Sequence, residues 1–320
     1  VLSLNGLGIG YGQRRLASIA DTGVRAGEFI CLLGRNGQGK STLLRTLGGF
    51  IPTLAGEVRL NGVAVRQMSG RARAQSIGVV LTDRPQAAAL RVCELVEMGR
   101  QPHTGWSGAL SRQDRRIAAH ALEQVDGAHL AMRTVDSLSD GERQRAMIAR
   151  ALAQQPKVML LDEITAFLDL PSRVTIIDLL RRIAAEQGVA VILSSHDLEL
   201  SLQTADRLWL LPGQGRFVDG VPEDIVLAGE IGQAFDQPNL VFSVRSGRFE
   251  RPAHGARAVH VDGDDIASLW LKRALRRRGF ALAGRPEEAS HALIRSGPGG
   301  WTSTGGRAAR SIQEALALLA

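Results

Sequence analysis

The chain has 320 residues, of which 44 % are hydrophobic and 22 % charged, enough to bury a large core in one or two domains. Its formal net charge of +7 is unevenly placed: residues 1–244 carry 26 basic and 25 acidic side chains, residues 245–320 carry 13 and 7, so the basic character belongs to the last segment. No run approaches the ~18 consecutive apolar residues of a bilayer span, two cysteines exclude a disulfide scaffold, and the seven histidines lack metal-ligand spacing. The opening VLSLNGLGIG has neither the basic nor the apolar region of a secretion signal, so a cytosolic chain is expected.

Short apolar runs predict strands at Glu28–Leu33, Ile77–Leu81, Val158–Leu161, Val189–Ser194 and Arg207–Leu211. Cys31, inside the first of these runs, reads as a small buried thiol. Helical spacing covers Lys40–Gly48, Val92–Gly99, Ser111–Val125, Gly141–Gln154, Pro171–Gln187 and Leu198–Thr204. Strands alternating with helices imply a mostly parallel α/β sheet covered on both faces. The run of helices from about Val92 to Gln154 reads as a helical subdomain inserted into it. RSGRFERPAHGAR, residues 245–257, is rich in charge, Gly and Pro and is expected to be a linker. Beyond it, residues 258–320 predict a small α/β domain: strand Ala258–Val261, helix Ile266–Arg278, strands Phe280–Ala283, His291–Ile294 and Trp301–Thr304, and helix Ile312–Leu319.

Residues 34–42 read GRNGQGKST, a complete Walker A pattern between a strand and a helix. Glycines let the loop turn tightly so that its N–H groups close around phosphate oxygens, and the following helix adds its positive end. Gly34, Arg35, Asn36, Gly37, Gln38, Gly39, Lys40, Ser41 and Thr42 are therefore the expected ATP-binding residues, with Lys40 on the outer phosphates and Ser41 on magnesium. Downstream, VMLLDE is an apolar strand ending in two acids. Asp162 is expected to hold magnesium and Glu163 to act as general base on the attacking water.

Between these motifs stands LSDGERQ, which resembles the LSGGQ signature of ABC transporter ATPases. Ser139, Asp140, Gly141 and Glu142 would then face the γ-phosphate on a second copy, although the same residues also read as a Ser N-cap with acids in the first helical turn. Other positions match the family in order. His196, in SSHD, resembles the switch histidine; Asp169 resembles the D-loop aspartate. Tyr11 in GYG resembles the aromatic that stacks on adenine, or is a surface strand tyrosine. The resemblance covers about residues 1–244. It implies a P-loop NTPase ABC cassette with an N-terminal β subdomain, and ATP and magnesium as ligands. Where the family usually has a Q-loop glutamine, this chain has Thr82 and Asp83; either could contact magnesium or water in its place, with Thr82 the candidate metal ligand, and Ile164 replaces a common proline.

LRVCELVEMGRQPHTGWSGALSRQD resembles the ATPases of importers for ferric siderophores, haem and vitamin B12, although its Arg-Gln-Pro-His loop also fits a plain interhelical turn. That resemblance implies a homodimer at the cytoplasmic face of the membrane, docked on two membrane-spanning permease subunits and served by an extracytoplasmic binding protein. The other readings are an exporter ATPase and a soluble ABC ATPase of translation or DNA repair. Neither a second cassette nor a heptad run supports the last. In the tail, Arg276-Arg277-Arg278-Gly279 fits a helix end completed by basic residues and a Gly cap, or a contact with anionic headgroups. No nucleic-acid partner is expected.

Overall fold

The computed structural model describes residues 1–81, 90–251, 257–295 and 300–319. Thr82 and Asp83 lie outside the described residues. The chain forms two compact units: residues 1–236 with 244–248, and residues 237–243 with 249–320.

The first unit holds two sheets. Strands Phe29–Gly34, Ala190–Ser194, Val158–Asp162 and Ile77–Val80 lie side by side and parallel, and Arg207–Gly213 joins parallel on the outer side of the first. Arg216–Gly220 closes that edge antiparallel. Three of these strands are buried at every position, as strands covered on both faces must be. The second sheet is antiparallel and built on Leu2–Tyr11, which pairs with Arg14–Ile19, Thr22–Val24 and Ala55–Leu60. Alternation along it sends Leu2 and Leu4 inward to a core shared with Ile30, Leu32, Leu160, Ile192 and Trp209 of the parallel sheet. Leu43 and Leu47, from the helix Lys40–Leu47, enter the same core.

Between strands Ile77–Val80 and Val158–Asp162 come helices Val92–Glu97, Arg112–Gln124 and Asp140–Ala153 and a 3-10 segment Met98–His103. The 3-10 segment crosses the last helix so closely that a Cβ at Gly99 would stand 2.2 Å from the Arg150 carbonyl oxygen. Arg100 is only 4 % exposed. Its guanidinium donates to the Ala153 carbonyl at 2.8 Å, to Gln155 Oε1 at 3.0 Å and to Asp114 Oδ1 at 3.0 Å. His103 Nε2 lies 2.9 Å from the Gln154 carbonyl. Both side chains of the Arg-Gln-Pro-His loop thus complete the C-terminal end of helix Asp140–Ala153, whose last carbonyls have no partner within the helix. Trp106, three residues on, is fully exposed.

The second unit is a five-stranded sheet with the order Ala281–Leu282, Ala258–Val261, His291–Arg295, Trp301–Ser303, Ala308–Ala309; its first three strands are parallel. Helices Ile266–Arg277 and Ile312–Ala317 contribute Leu271, Leu275 and Leu316 to a core around Trp301. One expectation is corrected here. Part of the stretch read as linker, residues 245–257, is a strand: Arg248–Glu250 pairs with Val241–Ser243, and Phe249 meets Phe242 edge-on at 5.4 Å. A single aromatic among charges carries no visible period, yet it is enough to close a short ribbon.

Asp114 caps helix Arg112–Gln124 together with Ser111, and the Ser111 hydroxyl and N–H, followed by Arg100, hold its carboxyl down at about 2. A carboxyl held low stabilises the fold fully above its ordinary value and loses that contribution as pH falls towards 2. Denaturant titrations should therefore show wild type losing stability between about pH 4 and 2 more steeply than Asp114→Asn. At neutral pH, Arg100→Lys should lower the unfolding free energy by about 2–3 kcal/mol, because one ammonium cannot serve three buried acceptors.

Candidate functional site

The carboxyl ends of three adjacent strands converge. Phe29–Gly34 leads into the Gly-rich loop, Val158–Asp162 into Glu163, and Ala190–Ser194 into His196; their register sets Asp162 beside Ser194, and Ser194 beside Leu32. In the loop, Gly37 and Gly39 adopt φ of 80° and 101°, conformations that β-carbons disfavour. Gly39 then serves as N-cap of helix Lys40–Leu47 without any side-chain acceptor, so the first N–H groups of that helix have no capping side chain.

Lys40 is buried, and its ammonium donates to the Gly34 carbonyl at 2.9 Å while lying 3.5 Å from Glu163 Oε1. Burial pulls its pKa down, and the Glu163 carboxylate opposes that. The same Glu163 oxygen is 2.6 Å from His196 Nε2. Glu163 has φ of 51°, a left-handed conformation uncommon outside glycine, and its N–H donates to the Ser194 carbonyl at 3.2 Å. Strained backbone held by neighbouring strands is a recurring feature of reactive sites.

These groups open on a cleft of about 720 Å³ lined by Tyr11, Arg14, Leu16, Asn36, Gly37, Gly39, Lys40, Ser41, Thr42 and Glu163. Tyr11 is half exposed, and its hydroxyl accepts from Thr42 at 3.3 Å. Arg14 and Leu16 escaped the sequence reading, although YGQR is a two-residue hairpin turn, with Gly12 at φ 56°, that sets Arg14 directly opposite Tyr11. Gly34 and Gln38 shape the loop without lining the cleft, and Arg35 donates to the Asp236 carbonyl at 2.8 Å.

Ser139, Asp140, Gly141 and Glu142 do not line this cleft; they form the start of helix Asp140–Ala153. The Ser139 hydroxyl accepts from the Glu142 N–H, and the Glu142 carboxylate accepts from the Ser139 N–H, a capping box. That Ser139 N–H, with help from Arg133, holds the Glu142 carboxyl below its usual range. Gln144 reaches from the same helix to the Ile164 carbonyl, just beyond Glu163. Asp169 caps helix Leu170–Gln187, accepting from the Ser172 N–H at 3.0 Å, and Ser172 depresses its pKa. One turn on, Arg173 donates to the Leu168 carbonyl at 3.1 Å and to Asp197 Oδ2 at 2.8 Å. A single guanidinium therefore joins the loop before Asp169 to the residue after His196.

Residues 16–166 match the family described as ABC transporter, and residues 256–320 match the family described as iron ABC transporter C-terminal domain. An uncharacterized ABC transporter ATP-binding protein of Methanocaldococcus jannaschii is 35 % identical over 89 % of this chain and 99 % of its own length. The chain belongs to the ABC transporter ATP-binding family. It is thus an ATPase of that family, whose cassettes bind nucleotide. An iron(3+)-hydroxamate import ATP-binding protein of Bacillus subtilis is 42 % identical over 62 % of this chain and 73 % of its own. Among solved structures, a bacterial ABC transporter cassette in dimeric form superposes with a TM-score of 0.57 at 26 % identity, covering 66 % of this chain and 94 % of that one. Among the described residues, no helix is long and apolar enough to cross a membrane.

The bridge made by Arg173 is open to a double-mutant cycle. Arg173→Ala and Asp197→Ala should each destabilise the cassette, and the pair together should cost about 1 kcal/mol less than the sum, measured by urea unfolding.

Proposed function

We propose that residues 1–244 hydrolyse ATP to drive import of an iron or cobalt chelate, of the ferric-siderophore, haem or cobalamin type. The observation carrying the chemistry is the meeting of Lys40, Glu163 and His196 at one carboxylate oxygen beside the Gly-rich loop. The loop N–H groups from Asn36 to Thr42 take the phosphate oxygens, and Lys40 neutralises the outer ones. Glu163 accepts the proton of the water that attacks the γ-phosphorus, while His196 fixes the orientation of that carboxylate. Tyr11, with Arg14 across the hairpin, offers a stacking face for the base.

Ser41 and Asp162 present oxygen donors of the kind magnesium prefers, and they would hold it. Bound there, the ion would neutralise charge on the transferred phosphate. Ser139 to Glu142, which do not line this chain's own cleft, suit a γ-phosphate carried by a second copy; the dimeric cassette relative supports that arrangement. Two membrane-spanning permease subunits and an extracytoplasmic binding protein complete the system, with this chain peripheral at the cytoplasmic face. The ferric-hydroxamate relative and the match to an iron-type C-terminal domain support an iron-type importer over an exporter.

Purified Glu163→Gln should bind ATP with unchanged affinity, lose hydrolysis by about 100-fold or more, and accumulate as an ATP-bound dimer. Turnover at the wild-type rate would refute the base assignment.

The nucleotide chemistry should also be separable from residues 258–320. Phe242 is buried and packs on Phe249, so a chain ending at Asp236 should melt cooperatively and bind ATP, whereas one ending at Arg245 exposes Phe242 and should aggregate sooner. Calorimetry and ATP titration of the two truncations check this.

A further inference from the structure

Helix Ile266–Arg277 of the second unit has two unlike faces. Inward it sends Ser268, Leu271, Ala274 and Leu275. Outward it shows Ile266, Leu269 and Trp270, which are 77 %, 47 % and 54 % exposed, and the stripe continues at helical spacing through Arg273 to Arg277. The stripe is also charge-graded. Asp262, Asp264 and Asp265 precede it, while Arg276, Arg277 and Arg278 end it. Some of these charges already have partners: Lys272 meets Asp264 at 3.1 Å, Arg276 meets Glu250 at 2.9 Å, and Arg273 lies over the Trp270 ring at 4.9 Å. Among the described residues no carboxylate pairs with Arg273 or Arg277.

We propose that this stripe pairs antiparallel with the same helix of a second copy of the chain, about a two-fold axis near Trp270. The graded charge is what selects that occupant. At about 1.5 Å per residue, Arg277 lies roughly 10 Å from Trp270 along the helix, and on the other side the helix begins at Ile266, about 6 Å away, with the acidic loop of Asp262 and Asp264 just before its N-cap Asp265. A two-fold axis at Trp270 therefore brings Arg277 of each copy to the acidic loop of the other, and makes the pair twice. The exposed apolar residues meet in the middle, and the helix dipoles run head to tail. An anionic lipid surface would attract the arginines but repel Asp262 at the other end, where Lys272 already answers Asp264, so it fits only half of the stripe. A single helix pair is smaller than the ~1,600 Å² of a standard interface. It therefore acts as a clasp, strengthened by any contact elsewhere that raises the effective concentration of the two copies.

The test uses the full chain without nucleotide, so that it does not depend on the ATP chemistry. In a Cys93→Ser background, Leu269→Cys lies next to the axis and should form a disulfide-linked dimer under mild oxidation. Adding Arg277→Asp should lower that yield about tenfold, and adding Asp264→Arg on top should restore it, since the pair is then reversed rather than lost. Trp270→Glu should weaken self-association in sedimentation by about tenfold as well, with an unchanged melting temperature. The proposal is overturned if Leu269→Cys cross-links no better than Glu287→Cys, at an exposed position off the helix. It is equally overturned if the reversed pair stays as weak as Arg277→Asp alone. A third overturning result is Trp270→Glu leaving self-association intact while abolishing binding to phosphatidylglycerol vesicles, which would make the stripe a lipid contact.

Discussion

Parallel pairing of three buried strands governs where Lys40, Glu163 and His196 stand. Phe29–Gly34, Ala190–Ser194 and Val158–Asp162 run side by side in one direction, so their carboxyl ends, and the loops that leave them, gather at a single edge. Parallel strands cannot be joined by tight turns and need crossovers, which is why Lys40, Glu163 and His196 come from positions far apart in the chain. A register slip of one residue in either of the last two strands would point Ser194 or Asp162 to the opposite face and dissolve the arrangement. Burial of all three strands on both faces holds this pairing, and the placement of Lys40, Glu163 and His196 rests on that packing.

At that edge the electrostatics are self-contained. Lys40 is buried enough for desolvation to lower its pKa, and the nearby Glu163 carboxylate counteracts that loss. Glu163 in turn is fixed by His196 and by its own N–H bond to the strand carrying that histidine. Beyond this centre the loops are braced laterally. Arg173 binds the segment before Asp169 to Asp197, and Gln144 binds the helix of Ser139 to Ile164. Each brace joins two of these segments directly, without passing through the bulk of the core.

Much of this was legible in the sequence because glycine and apolar patterning have local causes. GRNGQGKST needs its glycines for backbone angles that the loop does adopt at Gly37 and Gly39, and VMLLD reads as buried because it is buried on both faces. What stayed hidden depends on side chains that travel. Nothing local distinguishes Arg100 and His103, turned inward onto helix carbonyls, from Trp106, which faces solvent in the same loop. Arg14 could have been found from the YGQR turn, since a two-residue hairpin determines which residue stands across from Tyr11. The ribbon of Phe242 and Phe249 was invisible because charge dominates its surroundings and its partner strand lies outside any periodic run.

The crossing at Gly99 has a mechanical meaning. With no β-carbon there, backbone lies against backbone, and no side chain is available to deform between the 3-10 segment and the helix that begins after Ser139. Arg100 and His103 rivet the same two elements from one end. A force applied to the exposed loop around Trp106 therefore meets a stiff joint rather than a compliant one. Segment and helix move as one lever, whose far end is the serine that caps it.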